Sequence, residues 1–351
     1  MASRRKRNLI LALALSLSTG TVAATAAKAE VNVYSYRQPD LIAPLLDRFT
    51  EETGIETNVL FLDKGLIERI RAEGVNSPAD VIMTVDIGRL TDAAEAGVTQ
   101  SVESDAIAEN IPEQYRDPNN QWFGLTTRAR VIYASKERVS DEEKASLTYE
   151  ALADPKYRGR ICTRSGQHVY NVALFATMID RLGEAGAEEW LRGLKNNLTG
   201  TPDGNDRAQA KKVFTGECDL GVGNSYYVGL MQTNEKEPEQ QEWAGAIDVV
   251  FPDAQGAGTH VNLSGMAMAA NAPNREDALK LMEFLASPEA QEIYAESVYE
   301  YPLAPGTEPS DLVKSFGELN PDPTPLSEIA DQRRLASELV DRVGYDDGPS
   351  S

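Results

Sequence analysis

The chain has 351 residues, and its 55 acidic residues outnumber its 34 basic residues to give a formal net charge of −21. This charge argues against nucleic acid and against anionic membrane surfaces as partners. The chain contains two cysteines and two histidines, which are too few of zinc's preferred ligands to favour a zinc site.

The first 29 residues have the features of an export leader. A basic start, Arg4 to Arg7, precedes the apolar run LILALALSLS and the small-residue segment TVAATAAKA. This order predicts a signal peptide cut after Ala29, and the apolar run is too short to span a bilayer. Removal of the five leader cations brings the net charge to about −26. We therefore expect the mature chain outside the cytoplasm.

The mature chain opens with strands that alternate with helices. Residues 31–36 (VNVYSY) alternate as a strand, a helical pattern ends at Gly54, and residues 57–62 (TNVLFL) form the next strand. The segment GLIERIRAEG predicts a second helix, and DVIMTV predicts a third strand. This βαβαβ opening predicts a parallel, doubly wound sheet.

The rest of the chain predicts a second α/β unit and then a return to the first. The long extended segment GLTTRARVIYAS is followed by strands at RICTRS, DLGVG and IDVVFP, and by helices around 171–182, 186–195 and 207–214. The segment HVNLSGMAMAA predicts a return strand, and two helices separated by a Ser-Pro break precede a last helix at 326–343. This order is typical of an α/β protein with two lobes, a doubly wound sheet in each lobe and crossing hinge strands.

A clamshell of this kind binds its ligand in the cleft, where strand ends and helix N-termini of both lobes meet. We expect residues 30–126 and about 255–304 to form the N-terminal lobe. The C-terminal lobe is then formed by residues from about 127 to 254 and from 305 to 351.

The two cysteines, Cys162 and Cys218, are expected to form a disulfide. An even number of cysteines in an exported chain favours pairing, and closing a loop of this length stabilises a fold by about 4 kcal/mol. Two unrelated buried thiols are the alternative.

Three tyrosines are candidate ligands of a metal ion. Tyr226 and Tyr227 lie between a strand and a helix, and at such a turn neighbouring side chains can point to one place, which on a strand they cannot. Tyr170 lies eight residues after Cys162, and Tyr226 lies eight residues after Cys218. A disulfide between these cysteines would join the two tyrosine segments. The alternatives are that the pair is packing and that Tyr170 caps its own helix.

The chemistry of tyrosine selects ferric iron. A phenol has a pKa of about 10, so it becomes an anionic ligand at neutral pH only beside a strongly polarising cation. Hard anionic oxygen ligands suit a hard cation such as Fe(III), whereas Zn(II) prefers His and Cys, and Ca(II) prefers clustered carboxylates. Three phenolates leave an octahedral iron three positions short, and an anion such as carbonate would fill two of them.

The anion requires cationic and amide donors. Arg37 and Gln38 follow the first strand, and Ser165 and Gly166 precede the helix of Tyr170, where free backbone N–H groups favour anions. Arg128 and Arg130 share one face of the crossing strand because side chains alternate along a strand. Each residue taken singly is better explained by a salt bridge or a solvated charge, but the set taken together favours an anion site.

Several motifs together resemble one family. They are VNVYSYRQP, RAEGVNSPADVIMTVDIGRL, QWFGLTTRARVIY, the C-x-R-S-G and V-Y-N segment at 162–171, PDGNDRAQ, GNSYY and the SPEAQ helix. The chain is similar to the periplasmic ferric-ion-binding proteins, which are substrate-binding components of iron ABC transporters. It most resembles the tyrosine-rich, carbonate-dependent members of Gram-negative bacteria.

The resemblance implies a role for each candidate residue. It places the iron ligands at Tyr170, Tyr226 and Tyr227, and the anion site at Arg37, Gln38, Ser165 and Gly166, with Arg128 nearby. It further implies a periplasmic location, an inner-membrane permease as the partner, and a monomer.

The chain departs from the family pattern at three positions. Gln38 replaces the histidine that several members use, Pro39 replaces a tyrosine found in some, and Val85 replaces the glutamate ligand of one branch. Neighbouring Asp86 is no obvious substitute for that glutamate. Tyr36 is a poor fourth ligand because its side chain opposes that of Arg37 on a strand.

An enzyme and a binding protein for a different solute are the two alternative functions. A hydrolytic iron site would require a second metal or a histidine base, and the two histidines form no such group, so we do not expect an enzyme. A binding protein of the same fold for another solute, such as an anion, a polyamine, thiamine or a sugar phosphate, is the remaining alternative.

Overall fold

The computed structural model describes residues 29–349. The predicted leader, except for Ala29, lies outside the described residues. None of the helices within residues 29–349 combines the length and the apolar character needed to cross a membrane.

The strands agree with the predicted strand segments and include three short ones. They are β1 (Glu30–Ser35), β2 (Glu56–Phe61), β3 (Val81–Thr84), β4 (Thr99–Gln100), β5 (Phe123–Ser135), β6 (Ile161–Cys162), β7 (Leu220–Asn224), β8 (Ile247–Val250), β9 (Val261–Ala269) and β10 (Tyr301–Pro302). Of the three short strands, β4 and β10 were not predicted, whereas β6 is the part of the predicted strand RICTRS that is extended.

The helices follow the predicted order as well. They are α1 (Pro39–Thr53), α2 (Leu66–Glu73), α3 (Ile87–Glu95), α4 (Asp105–Asn110), α5 (Asp141–Ala145), α6 (Val169–Asn197), α7 (Asp206–Thr215), α8 (Tyr226–Gln232), α9 (Glu239–Gly245), α10 (Arg275–Ala286), α11 (Pro288–Val298), α12 (Asp311–Lys314), α13 (Leu326–Asp331) and α14 (Arg333–Val343).

Local sequence explains where several helices end. Gly54 ends α1 in the left-handed conformation, with φ of 70°, and its N–H donates to the carbonyl of Thr50. Gly183 has φ of 70° inside α6 and divides it into the two predicted helices. Ser287 caps α11 through its side chain, as the Ser-Pro break predicts. The last predicted helix is divided into α13 and α14.

The sheet confirms a two-lobed α/β architecture but is mixed rather than parallel. Its strand order is β2-β1-β3-β9-β5-β7-β6, with β4 on β9 and with β8 and β10 on β5. β1 is parallel to β2 and β3, and β6 is parallel to β7. β5 and β9 run antiparallel to their neighbours. The βαβαβ opening is therefore parallel, as predicted, and the long strands β5 and β9 make the sheet as a whole mixed.

The buried strand β5 connects the two halves of this sheet. Its residues from Phe123 to Ala129 pair with β9, and those from Arg130 to Ala134 pair with β7. All of its residues are buried. We propose that this change of partner marks the division between the lobes, close to the boundary at residues 126 and 127 drawn from the sequence.

Each half of the sheet supports its own apolar core. On one side, α1, α10 and α11 cover β1, β3 and β9, with Phe49 and Leu281 fully buried. On the other side, α6 and α14 pack together over β7 and the second half of β5. Helix α13 contacts both α3 and α6, so the C-terminal segment touches both halves.

The predicted disulfide between Cys162 and Cys218 is confirmed. It joins the end of β6 to Cys218, two positions before the first residue of β7, and both cysteines are buried. The bond therefore fixes the start of two segments, one of which continues to Tyr170 and the other to Tyr226.

Replacement of both cysteines by alanine is expected to lower the free energy of unfolding by about 4 kcal/mol, because the unfolded chain regains the freedom of a loop with a sequence separation of 56 residues. Urea unfolding followed by circular dichroism measures the change. A loss below about 1 kcal/mol would contradict this role of the disulfide.

Candidate metal centre

Tyr226 and Tyr227 begin helix α8, directly after β7 and Ser225. Their rings stack with centroids 4.2 Å apart and an angle of 30° between the ring planes. The turn therefore places both side chains on the same side of the chain. Ser225 occupies the cap position but does not cap the helix, because its hydroxyl accepts from the N–H of Ala129.

Tyr170, near the start of α6, extends its side chain toward Tyr226 and Tyr227. Its hydroxyl oxygen lies 3.5 Å from that of Tyr226. The helix is capped by His168, whose Nδ1 accepts from the N–H of Tyr170 at 3.2 Å, and the two rings meet edge to face at 4.6 Å. Tyr170 therefore does not cap its own helix, and three phenols are brought together.

Two of the three phenols, Tyr226 and Tyr227, lie in an environment that opposes their ionisation. Burial raises the pKa of Tyr226 well above its ordinary value, the other two phenols add to that rise, and Arg37 and Arg128 oppose it. The pKa of Tyr227 is also raised, first by burial and then by Tyr170 and Asp206. Both phenols are therefore protonated at neutral pH unless a cation binds beside them.

Five arginines surround the three rings. They are Arg128, Arg130 and Arg164 at 5.5, 5.9 and 5.2 Å from the Tyr170 ring centroid, Arg37 at 5.4 Å from that of Tyr226, and Arg207 at 4.8 Å from that of Tyr227. Sequence reasoning missed Arg164 and Arg207 as site residues. Both lie in segments that carried the family resemblance, C-x-R-S-G and PDGNDRAQ, and this was the available signal.

Arg37 is held by a buried carboxylate that the sequence did not indicate. Its Nη2 lies 2.5 Å from Glu300 Oε1 and 2.5 Å from the hydroxyl of Ser264. Burial by itself raises the pKa of Glu300, but the charges of Arg37 and Arg128 together lower it by more. The pKa of Glu300 is therefore below its ordinary value, and the carboxylate is ionised. The charge of Arg37 is therefore compensated within the protein.

Arg130 has hydrogen-bond partners for both of its Nη atoms. Its guanidinium donates to Asp206 at 2.7 Å, to Asn224 at 3.0 Å and to Asn171 at 2.7 Å. Asp206, at the first position of α7, was not singled out from the sequence. Arg130 therefore connects parts of the protein, and its Nη atoms have partners already.

Arg128 differs from Arg37 and Arg130 in its hydrogen bonds. Its side chain is buried, and its Nη1 makes one long bond of 3.4 Å to Ser264, while its Nε and Nη2 make no hydrogen bond within the described chain. The group borders a narrow gap that is also lined by Arg130, Tyr170, Asn224, His260 and Asn262. A buried cation with free donors next to the phenols fits an anionic ligand.

The other expected anion donors are placed differently. Ser165 Oγ and the N–H of Gly166 bind the carboxylate of Asp346 at 2.7 and 2.6 Å. These donors hold an anion, as expected for residues before a helix, but it belongs to the C-terminal segment of the chain. Gln38 is exposed at the start of α1 and makes no capping bond there.

The remaining polar candidates have structural partners. His260 Nδ1 lies 2.7 Å from Thr177 Oγ1, and burial lowers the pKa of His260 to about 3, so the ring is neutral. The hydroxyl of Tyr36 accepts from the N–H of Ile67, and Asp86 caps α3 through Gly88. Within residues 29–349, His, Cys, Asp and Glu side chains form no metal-binding group of three or more.

The chain was compared with known proteins. Residues 76–324 match the family model of bacterial extracellular solute-binding proteins. Iron uptake protein A1 of Synechocystis is 42% identical over 317 residues, which cover 90% of this chain and 87% of the relative. The chain belongs to this family of solute-binding proteins.

Solved structures agree with this assignment. Ferric iron-binding protein A of Mannheimia haemolytica, in an open conformation, is 48% identical with a TM-score of 0.85, and the match covers 91% of this chain and 99% of the other. A Trichodesmium protein in complex with iron and citrate is 43% identical, also with a TM-score of 0.85, and the match covers 90% and 100% of the two chains. The resemblance to the periplasmic ferric-ion-binding proteins is confirmed.

The raised pKa of Tyr226 predicts a loss of stability in alkali. The folded chain keeps a proton that the unfolded chain releases above pH 10, so this contribution is complete below pH 10 and falls above it. Each such proton changes the free energy of unfolding by about 1.4 kcal/mol per pH unit. We expect Tyr226→Phe to reduce the slope between pH 10 and 12 by about that amount, measured by urea unfolding of the iron-free protein. An equal slope in the two proteins would contradict the pKa shift.

Proposed function

We propose that this chain binds ferric iron in the cleft between its lobes and delivers it, in the periplasm, to the permease of an inner-membrane ABC transporter. One observation carries the proposal. The hydroxyls of Tyr170 and Tyr226 lie 3.5 Å apart, beside the stacked ring of Tyr227, at a place to which several elements contribute. The printed names of similar proteins, among them iron uptake and ferric iron-binding proteins, support the same substrate.

Ferric iron suits phenols that resist ionisation. Because the pKa values of Tyr226 and Tyr227 are raised, only a strongly polarising cation displaces their protons at neutral pH. Tyr170, Tyr226 and Tyr227 would then supply three hard anionic oxygens. The loss of one proton per phenol makes the affinity depend on pH, with release favoured in acid.

The surrounding charges favour a co-bound anion. Three phenolates neutralise Fe(III), whereas the five arginines around the rings are opposed by two buried carboxylates, Glu300 and Asp206. The remaining positive charge favours a multiply charged anion next to the iron. Carbonate is our proposal for that anion, and the citrate in the Trichodesmium complex makes a carboxylate anion the natural competitor.

Arg128 is the residue that we assign to this anion first. Its free Nη2 distinguishes it from Arg37, whose Nη2 is paired with Glu300, and from Ser165 and Gly166, which are paired with Asp346. Arg37 still has a free Nε, and Gln38 is exposed beside it. We propose that both assist, and that the lobes close on the ion as a monomer by a hinge motion of β5 and β9.

Replacement of Tyr170, Tyr226 or Tyr227 by phenylalanine is expected to weaken ferric iron binding by orders of magnitude, because each loss removes one anionic ligand. Iron titration followed by the visible phenolate-to-iron absorption band measures the affinity. Each variant should also release about one proton fewer per iron in a weakly buffered solution.

Tyr157→Phe is the matched control, because Tyr157 is a buried tyrosine of the same lobe whose hydroxyl makes no hydrogen bond. It should bind iron like the parent. A colourless parent protein that takes up no Fe(III) in bicarbonate would refute the proposed function. Unchanged affinity in the three site variants would refute tyrosine ligation.

Arg128→Met is expected to remove most of the gain in iron affinity that bicarbonate provides. A charge-assisted hydrogen bond contributes about 1.5–3 kcal/mol, so the affinity in bicarbonate should fall about 10- to 100-fold. The comparison is an iron titration of parent and variant, each with and without bicarbonate. Arg342→Met removes a surface cation paired with Glu184 and Glu188 and serves as the control. If bicarbonate raises the iron affinity of Arg128→Met as much as that of the parent, Arg128 does not bind the anion.

A further inference from the structure

Asp206 is a buried carboxylate that lies outside the tyrosine segments in sequence. It is the first residue of α7, in the segment PDGNDRAQ, and none of its surface is exposed. A fully buried carboxylate is rare unless it is paired and hydrogen-bonded. Asp206 has three such partners.

The three partners come from three different segments. Asp206 Oδ2 accepts from Arg130 Nη1 at 2.7 Å and from the backbone N–H of Asn224 at 2.9 Å. Its Oδ1 accepts from Arg164 Nη1 at 3.0 Å. One side chain therefore binds the crossing strand β5, the end of β7 and the segment before α6.

These contacts continue to both tyrosine segments. Arg130 also donates to Asn171 at 2.7 Å, and Asn171 follows Tyr170 in the chain. The amide of Asn171 in turn donates to the carbonyls of Arg164 and Ser165. Asn224, bound by Asp206, precedes Tyr226 by two residues.

The same carboxylate also compensates cations beside Tyr170. Arg130 and Arg164 lie 5.9 and 5.2 Å from the Tyr170 ring centroid, and both are paired with Asp206. Removal of one partner from a buried ion pair leaves an uncompensated charge, which is far more costly than the pair itself. Loss of the carboxylate would therefore disturb both the position and the charge around this ring.

We propose that Asp206 is a positioning residue of the tyrosine site. It aligns the start of α6 with the turn between β7 and α8, so that Tyr170 meets Tyr226, and it holds Arg130 and Arg164 against the Tyr170 ring. Metal ligands require placement within about 0.5 Å, and residues behind the ligands provide it. This role rests on the proposed binding of ferric iron by these tyrosines.

The test is Asp206→Asn, which keeps the shape of the side chain and removes its charge. Ferric iron affinity is expected to fall about 10- to 100-fold, and the phenolate-to-iron absorption band is expected to shift. The iron-free crystal structure should show the hydroxyls of Tyr170 and Tyr226 further apart than 3.5 Å. This last measurement does not depend on iron binding.

Asp219→Asn is the matched control. Asp219 also pairs with two arginines of the same half of the sheet, Arg138 and Arg160, each at 2.7 Å, and it contacts none of the three tyrosines. It should lower the thermal unfolding temperature and leave iron affinity and the absorption band unchanged. A stability loss alone is thus separated from a loss of alignment.

Parent-like iron affinity, absorption band and hydroxyl spacing in Asp206→Asn would overturn the proposal. If Asp206→Asn does not fold, Arg164→Met is the second test of the proposal. Arg164 is only half-buried, so its replacement is easier to tolerate, and it removes one partner of Asp206. It should weaken iron binding several-fold and shift the band, and an unchanged protein would overturn the proposal. If the parent protein does not bind iron, the proposed function is refuted. The distance between the hydroxyls of Tyr170 and Tyr226 in Asp206→Asn then tests the positioning role of Asp206 by itself.

Discussion

The structure depends on the pairing of β5 with β9 in one half of the sheet and with β7 and β8 in the other half. This central strand is buried over its whole length, and its alternate residues point to one side. Arg128 and Arg130 are two such residues, and both lie beside the Tyr170 ring. The strand that connects the two halves of the sheet therefore places two cations beside the phenols.

Buried cations determine much of what surrounds the phenols. Arg37 requires Glu300, and Arg130 and Arg164 share Asp206, because an unpaired charge in this environment is costly. Each of the five arginines has a buried Nε without a partner, but among the described residues of the site only Arg128 also has a buried Nη without one, and this difference separates it from the structural arginines. The raised pKa values of Tyr226 and Tyr227 and the excess positive charge both support the proposal that Fe(III) binds here together with an anion.

The structure brings the three candidate tyrosines together, and it pairs two of the candidate anion donors with a carboxylate of the chain itself. Ser165 and Gly166 matched the family's anion site, yet here they bind Asp346 of the chain's own C-terminal segment. That segment also packs Tyr345 against Phe175 of α6. The anion-binding character of a helix start is thus used, in this chain, to attach the last residues to the lobe that carries Tyr170.

The sequence by itself determined the alternating elements, the ends of α1 and α6, the Cys162–Cys218 pairing and the three candidate tyrosines, because periodicity, glycine positions, cysteine number and turn chemistry are local properties. Only the tertiary structure decided the direction of the sheet strands and the partners of the arginines. Arg37 meets Glu300 across 263 positions, and Gly166 meets Asp346 across 180. Such pairs are selected by the burial of charge once distant segments have packed together, and no local pattern encodes which carboxylate each cation will meet.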